Sequence, residues 1–441
     1  FVGPEMARLL VGGAEYGHFT LTRFFALHAG IIPGAIVALV VVHVYLFRRH
    51  GIKAKEPIVK PTGMFWPDQV FRDAVACLAV MAAVLGIVIW TGGAELGAPA
   101  NPTEPFPAAR PEWYFMFLFQ WLKYFPAGWE VVGAMVIPGI IVGLVAAMPI
   151  IGGWKLGHRF NLGLMFSLLA GVGLLTWLAY AEDAADPDFA IAKAQAEAEA
   201  HRAQELASIN GIPPAGALAM LRNDPLTQGP KLFAANCASC HYFDGHDGTG
   251  ITPVDEPSAP DLAGFGSREW LAGLLDPERI ATPEYFGGTA HARGAMARYV
   301  TRGVAGFDAA TLAELQKVVK AVSAEARLAS QAEMDAADAG EIAEGIQWMR
   351  TDPINCTSCH IFQGYSEDDT PSAMDLTGWG SREWMVGMIS NPEDPKYYGD
   401  DNDRMPRFLD EGILTLAEIG LIVDWLRGEW PVAEAGGEED Q

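Results

Sequence analysis

Charge is scarce in this sequence. Only 19% of its 441 residues are charged, whereas 50% are hydrophobic, a balance that leans toward a membrane protein. The length is too great for one ordinary domain and predicts three or more units. Positive charge is most outweighed in the back of the chain: residues 181–441 hold 18 Lys+Arg against 45 Asp+Glu, while residues 1–180 hold 12 against 9. A near-neutral apolar front therefore precedes an acidic, water-soluble back. That acidity disfavours nucleic acid and fits either a basic protein partner or simple solubility. A signal peptide is lacking too. The opening FVGPEMARLLVGG has no basic, apolar and cleavage regions in sequence, and Phe1 is no start methionine. The expectation is a cut product or a fragment whose N-terminal part lies elsewhere.

What is abundant is long apolar sequence. Four runs reach the roughly 20 residues a bilayer requires: Phe24–Phe47, Ala74–Gly93, Val131–Gly152 and Asn161–Tyr180, none with a charged residue apart from histidine. Six Lys+Arg lie between Arg48 and Arg72, and Lys155 and Arg159 lie between runs three and four; the loop between runs two and three has only Arg110 and Lys123. The positive-inside rule places the two basic connections in the cytoplasm. The 111–126 loop, the N-terminus and everything after residue 181 are then outside. The Ala/Glu-rich stretch DFAIAKAQAEAEAHRAQELA reads as a polar helix ended by NGIPPAG. It is either a stalk or a disordered linker.

An internal repeat follows. PDLAGFGSREWLAGLLDPERIATPEYFG (260–287) matches AMDLTGWGSREWMVGMISNPEDPKYYG (373–399), with GSREW unbroken in both. Upstream of each copy stands CxxCH, CASCH at 237–241 and CTSCH at 356–360; downstream stands a methionine, in GAMARY or DRMPRF, and then a helix beginning TLAE. Each copy is about 100 residues of helices and turns without a convincing strand.

Four of the five cysteines, Cys237, Cys240, Cys356 and Cys359, belong to these motifs. The spacing lets two thiols add to the two vinyl groups of a haem while His241 or His360 reaches the iron. A redox CxxC or half a zinc site are weaker readings, because no thioredoxin-like βαβ pattern is present and the same histidine follows both pairs. Two covalent haems c are expected. Such attachment normally takes place outside the cytoplasm, in agreement with the charge-derived topology. A soft thioether favours Fe(II) as sixth ligand. Met405 follows His360 by 45 residues and Met296 follows His241 by 55, in the same slot of the repeat. Met374 aligns with Pro260 and reads as packing, and Cys77 as a buried thiol inside the second run.

His28 and His43 share the first run. Fifteen residues of helix separate them by about 22 Å along the axis and about 60° around it, so both can face one neighbour. They are either packing residues or iron ligands; two costly histidines in one span favour ligation. TLTRFFALH, this histidine pair and NPTEPFPAARPEWYFMF closely resemble the cytochrome b family of quinol–cytochrome c reductases and their plastid relatives, over most of residues 15–181. The resemblance implies that His28 binds the low-potential haem b on the outer side and His43 the high-potential one. The fifteen-residue separation resembles the plastid type, and the three spans after Arg72 resemble that type's separate small subunit. The family's other two haem b ligands lie on a helix this chain does not contain, so it supplies half of each site. His18, His50 and His158 read as surface residues.

The same resemblance gives Glu112 a role at an outer quinol-oxidation site. There its carboxylate accepts a hydrogen bond from the quinol hydroxyl, takes the proton and passes it to outside water, with Tyr114 lining the pocket. A structural reading competes: PEWY caps an interfacial helix, with Trp113 and Tyr114 anchored at the headgroups.

The resulting expectation is an all-α chain, a four-span transmembrane bundle followed by two tandem cytochrome c-type domains. The divisions are 1–50 (haem b ligand helix), 51–182 (three-helix membrane domain with PEWY), 183–224 (stalk), 225–330 and 331–435 (c domains). The function implied is that of a cytochrome b/c subunit in a bacterial cytoplasmic membrane. It would pass one quinol electron through a Rieske iron–sulfur partner to the c haems and on to cytochrome c or another periplasmic acceptor, and the other electron across the haems b. Cytochrome b N-terminal helices, lipid and a dimeric complex complete the expected partners. The rivals are a membrane-anchored di-haem shuttle without a quinol site, against which PEWY and the histidine pair argue, and a degenerate fragment.

Overall fold

The computed structural model describes residues 3–13, 18–51, 64–93, 96–101 and 103–433. Among them there is no extended strand, and β pairing is confined to isolated bridges at Phe243 and Phe362. The chain forms two compact units, Phe1–Glu95 and Leu96–Gln441.

The first unit contains helix Gly3–Val11 and two helices long and apolar enough to cross a membrane, Phe19–His50 and Phe65–Thr91. Proline shapes the longer one. Pro33 has no N–H to give the Ala29 carbonyl, and its ring crowds that oxygen. The ladder widens into a π turn at Leu27–Ile31, and regular α-helix resumes from Ile32 to His50. Pro138 accompanies an equivalent π turn, Val132–Val136, in the second unit.

The second unit begins with the loop through PEWY and the short helix Met116–Lys123, followed by spans Val132–Ile151 and Gly157–Ala185. The short helix buries Met116 and Gln120 against the last span, which buries Ala179. Asp186 then breaks the helix and caps the next one, Pro187–Asn210, accepting from the amides of Asp188 and Phe189. This helix is polar for most of its length. Its end docks: Ala203 and Leu206 pack on Leu221, while buried Arg202 forms a two-bond pair with Asp224 at 3.0 and 2.6 Å. Asp224 in turn caps helix Pro225–Asn236, so the end of Pro187–Asn210 is tied to the start of the first repeat.

GSREW has a local explanation. Its glycine takes a positive φ (87° at Gly266, 73° at Gly380), and its serine caps the following helix by accepting from the tryptophan amide: Ser267 from Trp270, Ser381 from Trp384. The two repeats then interlock. Helix Pro225–Asn236 of the first packs against Leu416–Leu426 of the second, and Ala309–Glu325 of the first packs against Ala339–Trp348 of the second. Glycine makes both crossings possible. A Cβ on Gly229 would lie 2.2 Å from that of Trp425, and one on Gly345 would lie 2.1 Å from the Lys317 carbonyl oxygen. One hydrophobic core runs through both repeats, from Phe233 to Leu426.

Candidate functional site

The interlocked repeats enclose a largely apolar cavity of about 890 Å³. Both CxxCH motifs line it: Cys237, Cys240 and His241 from the first, Cys356, Cys359 and His360 from the second. Met296 and Met405 line it as well. None of the four motif cysteines is in a disulfide, and burial pushes the thiols of Cys237 and Cys356 up to about 12.

The histidines are oriented in advance. Each Nδ1–H donates to a main-chain carbonyl, His241 to Pro260 at 2.7 Å and His360 to Met374 at 2.8 Å. The carbonyls fix the tautomer and leave Nε2 as the free donor atom, the arrangement a ligating imidazole needs. Burial is the leading influence on both rings and lowers their pKa, keeping them neutral, although the carbonyl bonds act the other way. Sequence reasoning missed this function of positions 260 and 374. Their alignment in the repeat was the available signal. The residue types differ because the backbone oxygen is what is used. The Met374 side chain packs on the core. Paired thiols, an imidazole with a free Nε2 and a thioether, set twice around one apolar cavity, fit haem c at both motifs. Among the described residues no three His, Cys, Asp or Glu side chains converge as a zinc site would require.

The PEWY loop lies in the same unit. Glu112 precedes the 3-10 turn Trp113–Phe115 and accepts at its backbone oxygen from Phe115 (2.8 Å), but its side chain makes no capping bond. The carboxylate is exposed, as are Trp113 and Tyr114, whose rings meet edge to face with centroids 5.5 Å apart. Two acids at the end of the last span hold the loop. Arg110 pairs with Asp183 through Nε (2.9 Å) and Nη2 (2.8 Å) and stacks over Phe189 at 4.0 Å. Buried Gln120 donates to Glu182 at 2.6 Å, and Lys123 pairs with the same carboxylate at 3.0 Å. Glu182 and Asp183 were absent from the sequence reading, because a carboxylate pair at a helix end looks like any solvated terminus.

His28 and His43 lie in the first unit, on the Phe19–His50 span, where no side chain is buried. His28 falls inside the π turn. Each i→i+5 step winds fewer degrees than an α step, so the offset between the two histidines is smaller than the regular-helix value. Cys77 is exposed on the second span, not buried, because no described residue of the unit packs on that face.

Residues 1–107 match the family model of cytochrome b(N-terminal)/b6/petB, and residues 226–320 match that of cytochrome c. The chain joins a cytochrome b segment to a cytochrome c region. The second repeat lies beyond the cytochrome c match and is tied to it by the internal repeat. Cytochrome b of Rhodobacter capsulatus is 30% identical over 193 residues, 40% of this chain and 41% of that protein. A cytochrome bc complex cytochrome b subunit of Chlorobaculum thiosulfatiphilum is 34% identical over 132 residues, 28% of this chain and 30% of that protein. The chain thus spans less than half the length of either relative. No solved structure matches it. Four membrane-length apolar helices and the cytochrome b match make this a multi-pass membrane protein.

Proposed function

We propose that this chain is the cytochrome b/c subunit of a quinol–cytochrome c oxidoreductase, in which quinol is oxidised at the outer membrane surface and electrons leave toward a periplasmic acceptor. The supporting observation is the pairing, in one compact unit, of a twice-built haem c donor set with a PEWY carboxylate that is not used to cap its helix. Bound haem supplies reversible one-electron chemistry at both motifs. The cysteine thiols would tether it as thioethers, His241 and His360 would present Nε2 to iron, and Met296 and Met405 would supply soft thioether ligands. His28 and His43 supply one ligand each to two haems b, and helices of a partner chain or a further cytochrome b segment supply the others. Glu112 accepts the hydrogen bond of a quinol hydroxyl and takes its proton, and its exposure gives that proton a route to water. Tyr114 borders the ring. A Rieske protein in a dimeric complex takes the first electron, and the c repeats face the periplasm.

Intact mass and haem staining after expression in a maturation-competent host test the donor sets. Two haem additions per chain are expected, and the mass of the bare polypeptide would refute the reading. The quinol step is tested by purifying the chain with its partners and assaying quinol-dependent reduction of an added c-type cytochrome. Two covalent haems without such turnover would favour the anchored shuttle.

A further inference from the structure

The interlocking of the repeats bears on which methionine serves which iron. We propose crossed ligation: Met296 of the first repeat pairs with His360 of the second, and Met405 of the second pairs with His241 of the first. This rests on the haem c reading above.

The evidence begins at Tyr299. Its hydroxyl donates to the Ile354 carbonyl at 2.8 Å, two residues before Cys356. Tyr299 follows Met296 by three residues on a continuous helical turn, Ala295–Arg298 running into Tyr299–Gly303. Side chains three apart on a helix are neighbours on one face. The bond that seats Tyr299 beside the second CxxCH therefore brings Met296 to the same side. The helix that follows, Ala309–Glu325, packs on Ala339–Trp348, which leads into that second motif.

The other half repeats the pattern. Helix Leu416–Leu426 comes shortly after Met405 and packs on Pro225–Asn236, the helix that ends at Cys237. Its Trp425 ring lies 5.4 Å from Phe233 and 4.3 Å from Phe243, two residues beyond His241. The exchange has a crossing point. Gly266 and Gly380 lie so close that a Cβ on Gly380 would be 3.1 Å from the Gly266 Cα. Phe265 and Trp379, one residue before each glycine, meet at 5.0 Å. Upstream of the crossing each repeat carries its CxxCH, and downstream it carries its methionine. The two methionine-bearing segments also touch, His291 stacking on Tyr398 at 5.5 Å and 12°.

The two-haem full chain, partly substituted with a diazirine analogue of methionine and irradiated, provides the first test. Crosslinks from position 296 to the haem peptide containing Cys356 and Cys359 are expected, together with crosslinks from position 405 to that containing Cys237 and Cys240. The opposite pairing overturns the proposal. The second test reads ligation itself. In a Cys356→Ala/Cys359→Ala chain, which retains one haem, Met405→Ala abolishes the methionine-to-iron charge-transfer band and turns the haem high-spin, and Met296→Ala leaves both unchanged. In the Cys237→Ala/Cys240→Ala chain the two methionines exchange roles. Loss of the band from the methionine of the same repeat would show ordinary ligation. A parent chain without covalent haem would instead refute the underlying reading.

Discussion

The two ends of this molecule solve the problem of stability differently. The c repeats bury their own core and orient their own histidines with their own carbonyls. The first unit buries none of its span residues and presents His28 and His43 on an exposed apolar helix. On the proposed reading, covalent attachment and a shared core make the first kind of site a property of this chain. A haem b held by one histidine from each of two helices is a property of an assembly. The histidine pair stands out in sequence because two histidines in one span are costly, and on the proposed reading the surface facing them comes from further cytochrome b helices.

The largest effect expected from that contrast is all-or-none. The chain expressed alone carries two covalent haems and no stable haem b; co-expression with cytochrome b helices bearing the other two ligands restores non-covalent haem. Pyridine haemochrome spectra of the two preparations separate the b and c contributions. Robust haem b in the isolated chain would erase the distinction.

Glu112 lies between these extremes, in the second unit but with a proposed role at a site at the membrane. Glu112→Gln keeps size and hydrogen bonding but removes the base. A positioned acid–base group contributes about 10²–10⁴-fold, and quinol oxidation by the assembled complex should fall within that range, with haem spectra intact. Electron transfer from a pre-reduced Rieske partner into the c haems should stay near normal. Unchanged quinol turnover in an assembled variant would return PEWY to a structural role.

Helices, spans and the repeat were readable because each follows a local pattern: apolar length, CxxCH spacing, and GSREW, which proves to be a glycine turn plus a serine cap. The interlocking was not. Residues 225–330 and 331–435 read as tandem domains, and nothing in the local pattern of Pro225–Asn236 says that its partner helix begins at Leu416. Phe233 and Trp425 belong to different copies of the repeat, and only the three-dimensional exchange brings their rings together. The orienting carbonyls of Pro260 and Met374 were hidden for another reason: a backbone oxygen leaves no residue signature.

Trp425→Ala sharpens this point. The side chain is 7% exposed and packs on Phe233 and Phe243 of the other repeat. Truncating a buried aromatic of this size costs about 3–5 kcal/mol. Denaturant unfolding followed by haem absorbance should show that loss at the first CxxCH, although the substitution lies in the second repeat. Destabilisation confined to the second haem would mean that the repeats are separate after all.

The smallest expected effect gives the most discriminating test of one core against two. Gly229 and Gly345 occupy the two exchanged crossings. At Gly229 an added Cβ would meet Cβ and Cγ of Trp425 at 2.2 and 2.6 Å. At Gly345 it would meet main-chain atoms of Lys317 at 2.1 and 2.5 Å. Neither neighbour is the free end of a flexible side chain, so the helices must move apart. Overpacking of this kind costs about 1–3 kcal/mol, partly offset by up to about 1 kcal/mol from replacing a helical glycine with alanine. Gly340→Ala makes the same exchange in helix Ala339–Trp348 with nothing within 4 Å of the new methyl, and should be neutral or slightly stabilising. If the interlocked repeats fold as one body, Gly229→Ala and Gly345→Ala each lower a single transition seen identically at both haems. If each repeat kept its own core, Gly229→Ala would shift only the first haem and Gly345→Ala only the second. The single core that runs through both repeats, with Gly229 against Trp425 across them, predicts the shared transition.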